Sequence, residues 1–119
     1  MNRFYALLAI ASFASAGPAA AQTLELRERA HELSLGNVAL PNSTAGTLIF
    51  KACETCDSQA VRVNSSTAYI APEGAMALPD FIEYVNAVRQ QPGGDETYVT
   101  VFRSTSDDRV TRVKLHARD

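Results

Sequence analysis

The chain has 119 residues, of which 46% are apolar and 20% charged, with a net charge of −2 and two cysteines. A chain of this length folds as one small domain, which excludes a two-domain enzyme. The 13 acidic residues outnumber the 11 basic ones. The composition therefore lacks the excess of Lys and Arg that binding to nucleic acid or to an anionic membrane surface requires.

Residues 1–21 have the pattern of a secretory signal peptide. Arg3 precedes an uncharged run over residues 4–16, and small residues follow at positions 19–21. The uncharged run is shorter than the roughly 20 apolar residues of a transmembrane helix. We expect cleavage after Ala21, which leaves residues 22–119 as a single acidic domain without a transmembrane anchor. Because the alanine-rich leader is typical of bacterial export, the expected location is the periplasm or the medium.

The first segment of the mature chain, residues 23–35, has a mixed pattern. Leu26, Ala30 and Leu33 have the spacing of a helical face, whereas Leu33 and Leu35 alternate with polar residues as in a strand. The balance slightly favours extended structure. A turn at residues 36–37, a short strand at 38–40 and a loop at 41–46 are expected to follow.

Two strands are predicted on either side of the cysteines. In residues 47–52, Leu48 and Phe50 alternate with outward-facing residues and should be buried. The second strand covers residues 59–70, and a kink is expected at Ser65 and Ser66.

One helix is predicted to begin near Pro79, because proline suits the first helical position. Its apolar residues fall at i, i+1, i+4 and i+7, the spacing of one buried stripe: Phe81, Ile82, Val85 and Val88. Residues 91–94, which contain Pro and Gly, should end it.

The last part of the chain is predicted to be a β-hairpin with arms at residues 97–103 and 109–117. Val110 is out of step with Val113, which indicates a bulge between them. Together these elements predict an α+β fold: a small, mostly antiparallel twisted sheet with one packed helix. Curling into a partial OB-like or SH3-like barrel would protect the sheet edges.

Cys53 and Cys56 are most simply interpreted as a disulfide across a tight turn, since an oxidising compartment favours such a bond. A loop this short gives a stabilisation of about 2 kcal/mol. The alternative is a thiol–disulfide redox site. Residues 48–53 resemble the strand that leads into a thioredoxin-type motif, but the β-branched, alternating sequence that follows departs from the long helix of that family.

A zinc site is a third interpretation of the cysteine pair, with His31 and His116 completing a set of four ligands. The spacing of these residues matches no zinc finger, so neither a metal nor another cofactor is predicted. No catalytic residue is predicted either, because the sequence has no nucleophile elbow and no phosphate-binding glycine loop. Asp107 and Asp108 are interpreted as a hydrated turn.

Aromatic residues on the first arm of the predicted hairpin and basic residues along the second arm form a candidate binding surface: Tyr98, Phe102, Arg109, Arg112 and Lys114. Ordinary cross-strand packing is the competing interpretation. The leading functional hypothesis is a non-enzymatic envelope protein that binds a protein or another envelope ligand. The alternative is a periplasmic thiol oxidoreductase with Cys53 as nucleophile and Cys56 as resolving thiol.

Overall fold

A computed structural model describes residues 27–118. The expected signal peptide, residues 1–21, lies outside these residues, as does the beginning of the ambiguous segment. The described elements, in chain order, are β1 (Glu28–Ser34), β2 (Val38–Ala39), β3 (Thr47–Lys51), β4 (Ser58–Arg62), β5 (Ala68–Ala71), β6 (Gly74–Met76), α1 (Leu78–Arg89), β7 (Tyr98–Ser104) and β8 (Val110–Leu115). Short 3-10 helices occupy Leu35–Asn37 and Gly94–Glu96.

The strands form two sheets. The larger has the order β1-β7-β8-β5-β6, and the smaller has the order β2-β3-β4. All pairings of named strands are antiparallel except that of β5 with β8, which is parallel. The predicted α+β class with a mostly antiparallel arrangement is thus confirmed, and β1 shows that the first described segment is extended.

Helix α1 and the small sheet pack against the same face of the large sheet, here called the inner face. The Tyr69 ring of β5 lies 5.4 Å from the Phe81 ring of α1, and the His31 ring of β1 lies 4.9 Å from the Phe50 ring of β3. The predicted buried residues of β3 and α1 enter one apolar core between these layers, except Ile82, which is only partly buried and packs against that core. Leu48 and Phe50 are almost fully buried, as the alternation predicted.

Helix α1 begins as its sequence predicts, with Pro79 in the first turn and Asp80 near the positive end of the helix dipole. Phe81, Val85 and Val88 are buried. Arg89, in the last turn, connects the helix to the segment after β1. Its guanidinium donates from Nη1 to the Leu35 carbonyl (3.0 Å) and from Nη2 to the Val38 carbonyl (2.7 Å).

The predicted bulge in the last hairpin is confirmed. Phe102 pairs with Arg112, but its neighbour Arg103 pairs with Val110, so Thr111 is an extra residue in β8. Because the extra residue restores the alternation, Val110 and Val113 both reach the core, each 0% exposed.

The prediction of one strand over residues 59–70 is wrong. Its first half is β4, in the small sheet, and its second half is β5, in the large sheet. Asn64 forms the break: its side-chain oxygen accepts a hydrogen bond from the Ser66 amide (2.8 Å). The Thr67 hydroxyl then anchors the start of β5 by donating to the Val110 carbonyl (2.8 Å).

Strand β6 was not predicted. It forms a tight hairpin with β5, and Gly74, with φ +132°, adopts a backbone conformation that favours glycine. The strands do not close into a barrel: within residues 27–118, β1 and β6 remain the edges of the large sheet. No helix in this part of the chain is long and apolar enough to cross a membrane.

Candidate binding site on the outer sheet face

The face of the large sheet opposite α1, here called the outer face, carries most of the predicted binding surface. Directly paired residues of neighbouring strands point to the same side, so Ala30 of β1, Phe102 of β7 and Arg112 of β8 lie in one row across the sheet. Both α1 and the small sheet pack on the inner face, which leaves this row to solvent. Tyr98, on the same face, is 69% exposed.

Four of the five predicted binding residues come together on the outer face: Tyr98, Phe102, Arg112 and Lys114. Arg109 lies between the turn and β8, outside the named strands. The Ser104 amide donates to its carbonyl (2.8 Å), and its backbone forms a bridge with Arg62 at the end of β4. Its Nε lies 3.1 Å from the Asp107 carboxylate. The Asp107–Asp108 segment is thus a turn whose acids pair with arginines, since Arg103 Nε lies 2.7 Å from Asp108.

Phe102 lies beside a cluster of polar side chains on the outer face. The Arg112 guanidinium carbon lies 3.8 Å from the centre of the Phe102 ring, a cation–π geometry. Arg112 Nη2 donates to Glu28 (2.9 Å), and the Thr111 hydroxyl donates to the other Glu28 oxygen. The Thr111 hydrogen bond, followed by that of Arg112, lowers the pKa of Glu28 below its ordinary value. The positive charge of Arg112 is therefore already engaged within the protein.

A groove of about 880 Å³ lies beside this cluster, at the end of the outer face where the bulge occurs. Its apolar floor is formed by Ala30 and Phe102, and polar residues surround the floor: Arg27, Glu28, Ser104, Thr105, Ser106 and Thr111. Sequence reasoning identified Phe102 but missed Ala30 and Glu28. These two belong to β1, and no local pattern shows that β1 pairs with β7.

The other end of the outer face carries a threonine–histidine pair. The Thr100 hydroxyl lies 2.8 Å from His116 Nε2, and Thr100 is only 7% exposed. Within residues 27–118, no side chain hydrogen-bonds the second ring nitrogen of His116. The pair thus lacks the orienting third group of a nucleophile and base arrangement, and its evident role is to satisfy a buried hydroxyl.

Cys53 and Cys56 form a disulfide in the turn between β3 and β4, as predicted, with a Cα–Cα distance of 5.0 Å. The Cys56 amide donates to the Cys53 carbonyl (3.2 Å), which closes the turn. The chain continues into strand β4 and not into a helix. The cysteines therefore lack the helix N-terminus that stabilises the thiolate in redox motifs of this spacing.

The two histidines do not approach each other. His31 lies on the inner face against Phe50, whereas His116 lies on the outer face. With both sulfurs in the disulfide, the four-ligand zinc arrangement is not assembled, and residues 27–118 contain no cluster of three potential metal-binding side chains. His31 Nε2 is buried, and no atom of the described residues hydrogen-bonds it. Burial, followed by the charges of Arg103 and Arg29, lowers the pKa of His31.

The outer face and the exposed disulfide are thus the two surface features that call for a functional interpretation. Of the two, only the outer face combines an apolar floor with a polar rim. Comparison of the chain with protein-family models, with curated proteins and with solved structures finds no match.

Proposed function

We propose that this protein is an exported, non-enzymatic binding module of the cell envelope and that it holds a partner protein on its outer sheet face. The observation that carries the proposal is the groove at Ala30 and Phe102. Ligand sites in proteins are concave and combine an apolar floor with a few polar groups that orient the ligand. The groove has this composition, and it lies on a face that neither α1 nor the small sheet covers.

Export is supported by two features of the sequence and the fold. The leader pattern of residues 1–21 is that of a secreted protein. The Cys53–Cys56 disulfide suits an oxidising compartment such as the periplasm or the medium. The acidic balance of the chain favours a protein partner over nucleic acid.

Site-specific photo-crosslinking tests the binding function. The 119-residue sequence, leader included, is expressed in the encoding organism with a photoreactive residue at Ser106, which is exposed on the groove rim. A matched variant carries the same residue at Asn86, exposed on α1. We expect a discrete adduct from position 106 that position 86 does not form. Equal adducts from both positions, or none from either, would refute the proposal, as would turnover of a thiol or ester substrate by the purified protein.

A second function, thiol–disulfide exchange, is favoured by the exposure of Cys53 at the end of the β3–β4 hairpin. In this reaction an external dithiol first reduces the Cys53–Cys56 bond and is itself oxidised to a disulfide. The Cys53 thiolate then attacks a substrate disulfide and releases one substrate thiol, and the Cys56 thiolate attacks Cys53 Sγ of the mixed disulfide and releases the other. The substrate leaves as a dithiol and the Cys53–Cys56 bond forms again. The reduction potential separates the two functions. A value below about −300 mV marks a structural bond and excludes the redox function, whereas a higher value supports it.

A further inference from the structure

We infer that the outer edge of β1 binds an extended peptide segment of another protein as an additional antiparallel strand. The segment carries a large apolar side chain opposite Ala30, where it contacts Phe102, and a Lys or Arg two positions earlier, opposite Glu32. This inference rests on the proposed binding function and specifies its partner. Three features carry it: the direction of the β1 backbone groups, the small size of Ala30 and the uncompensated charge of Glu32.

The first feature is a row of backbone groups at a sheet edge. The Leu35 amide donates to the Thr97 carbonyl (2.8 Å), and the Thr105 amide donates to the Arg27 carbonyl (3.0 Å). These bonds show that the odd-numbered residues of β1 direct their backbone groups toward β7. Because the direction alternates along a strand, the even-numbered residues direct theirs away from the sheet: Glu28, Ala30, Glu32 and Ser34.

An edge of this kind is a template for another strand. Within the part of the chain that the structure describes, no strand lies beyond β1. An antiparallel partner would satisfy both the N–H and the C=O of each even-numbered residue through one opposing residue.

The second feature is the access that Ala30 gives to Phe102. The even-numbered side chains of β1 lie on the outer face, where Ala30 stands directly beside Phe102. A methyl group is too small to cover the neighbouring ring, and both residues line the groove. A long apolar side chain on a partner strand, opposite Ala30, would extend over it to the Phe102 ring.

The third feature is electrostatic. Glu28 is paired with Arg112, but no Lys, Arg or His of the described residues lies within ion-pair distance of Glu32. Opposite charges facing each other across antiparallel strands are favourable. Because antiparallel strands run in opposite directions, the residue opposite Glu32 precedes the residue opposite Ala30 by two positions. The partner motif is therefore basic, any residue, large apolar.

A second copy of the chain does not meet these requirements. In any antiparallel pairing of two β1 edges, the even-numbered residues face one another, and these are Glu, Ala, Glu and Ser. Within Glu28–Ser34, no such register places a large apolar side chain opposite Ala30 or a cation opposite Glu32. The register that pairs Ala30 with itself places Glu28 opposite Glu32 and is repulsive.

Selection from a displayed library of random seven-residue peptides tests the inference. The bait is the 119-residue sequence, produced with its leader and purified from the exported fraction. We expect enrichment of Lys or Arg two positions before Leu, Phe, Met or Tyr. The enriched peptide should lose most of its affinity when one backbone amide that faces β1 is N-methylated, because this removes a strand hydrogen bond.

Two variants probe the two side-chain contacts. Glu32→Lys should reverse the charge preference. The basic peptide should bind about threefold more weakly, and a peptide with an acidic residue in place of the basic one should bind more tightly. Glu83→Lys, at an exposed position of α1, should change neither affinity. Phe102→Ser should remove the preference for the apolar residue, whereas Ile49→Ser, at an exposed apolar position of β3, should not.

The outcomes separate this inference from the general binding function. A discrete crosslink at position 106, together with selected peptides that lack the motif or are insensitive to Glu32→Lys, would overturn the β1 edge but leave the outer face as a binding site. Absence of both the crosslink and any enrichment would overturn both proposals. Enrichment with charge reversal in Glu32→Lys would establish the β1 edge as the peptide site.

Discussion

Arg89 is expected to make a large polar contribution to the stability of the domain. Replacing it with Met keeps much of the aliphatic stem but removes both hydrogen bonds from the last turn of α1 to the Leu35 and Val38 carbonyls. These two carbonyls belong to the segment that leads from the large sheet to the small one. The substitution therefore removes the hydrogen bonds between the helix and the segment through which the chain passes from the large sheet to the small one.

The expected cost follows from the partners of the guanidinium. A hydrogen bond to a charged group contributes about 1.5–3 kcal/mol, and both bonds are part-buried, so Arg89→Met should cost about 3 kcal/mol. The ion pair with Asp95 adds little, because the two groups are 3.6 Å apart and the Asp95 side chain is 68% exposed. Arg89→Lys should recover less than half of the loss, since an ammonium group lacks the planar fork.

Urea unfolding followed by circular dichroism at the helix band measures these differences, because the chain has no tryptophan. Arg118→Met is the matched control. Its guanidinium also donates twice, to the Gln91 side chain (2.9 Å) and the Pro92 carbonyl (2.8 Å), but at an exposed site. We expect the control to cost less than about 0.5 kcal/mol. Equal losses for the two variants would refute the argument that burial of the acceptors sets the magnitude.

Three further substitutions test other parts of the structure. Joint replacement of Cys53 and Cys56 by Ser should lower the free energy of unfolding by about 2 kcal/mol and leave the circular dichroism spectrum unchanged. Loss of the folded spectrum would contradict this expectation and show that the disulfide is required for folding. Because burial holds the pKa of His31 below 6.5 in the folded protein, the unfolded chain takes up the proton first as the pH falls. The free energy of unfolding should thus decrease below about pH 6.5. His31→Phe should remove this pH dependence down to about pH 5, which is above the range in which Glu28 titrates. An unchanged pH dependence of the unfolding free energy, measured in urea titrations, would contradict the assignment to His31. Gly94→Ala should cost more than about 3 kcal/mol, because the added Cβ would lie 1.9 Å from the Val88 carbonyl oxygen, and a wild-type melting temperature would contradict it.

Local patterns in the sequence were sufficient for the parts of the fold that form locally. The spacing of Phe81, Val85 and Val88 predicted α1, and the mismatch between Val110 and Val113 predicted the bulge. The division of residues 59–70 was not predictable from apolar alternation, which continues through both strands. It depends on the side-chain hydrogen bonds of Asn64 and Thr67.

The residues of the candidate site also fall into those that local sequence patterns could place and those that they could not. Alternation along one hairpin was enough to place Phe102 and Arg112 on a common face, because both strands are adjacent in the chain. Ala30 and Glu28 complete the groove from β1, a strand distant in sequence. Periodicity in the sequence does not predict that β1 pairs with β7. Arg109 precedes β8, and its guanidinium pairs with Asp107, a contact near the turn that alternation along the strand does not predict.

The position of β1 also has a consequence for the order of folding. The β7–β8 and β3–β4 hairpins join neighbouring segments, so their loops close rapidly. Strand β1 instead pairs Ser34 with Tyr98 and Glu28 with Ser104, so nearly the whole domain must be present before it can dock. Non-local pairing of this kind slows folding. We therefore expect β1 to dock late, with β7 exposing its own free edge to other strands until then.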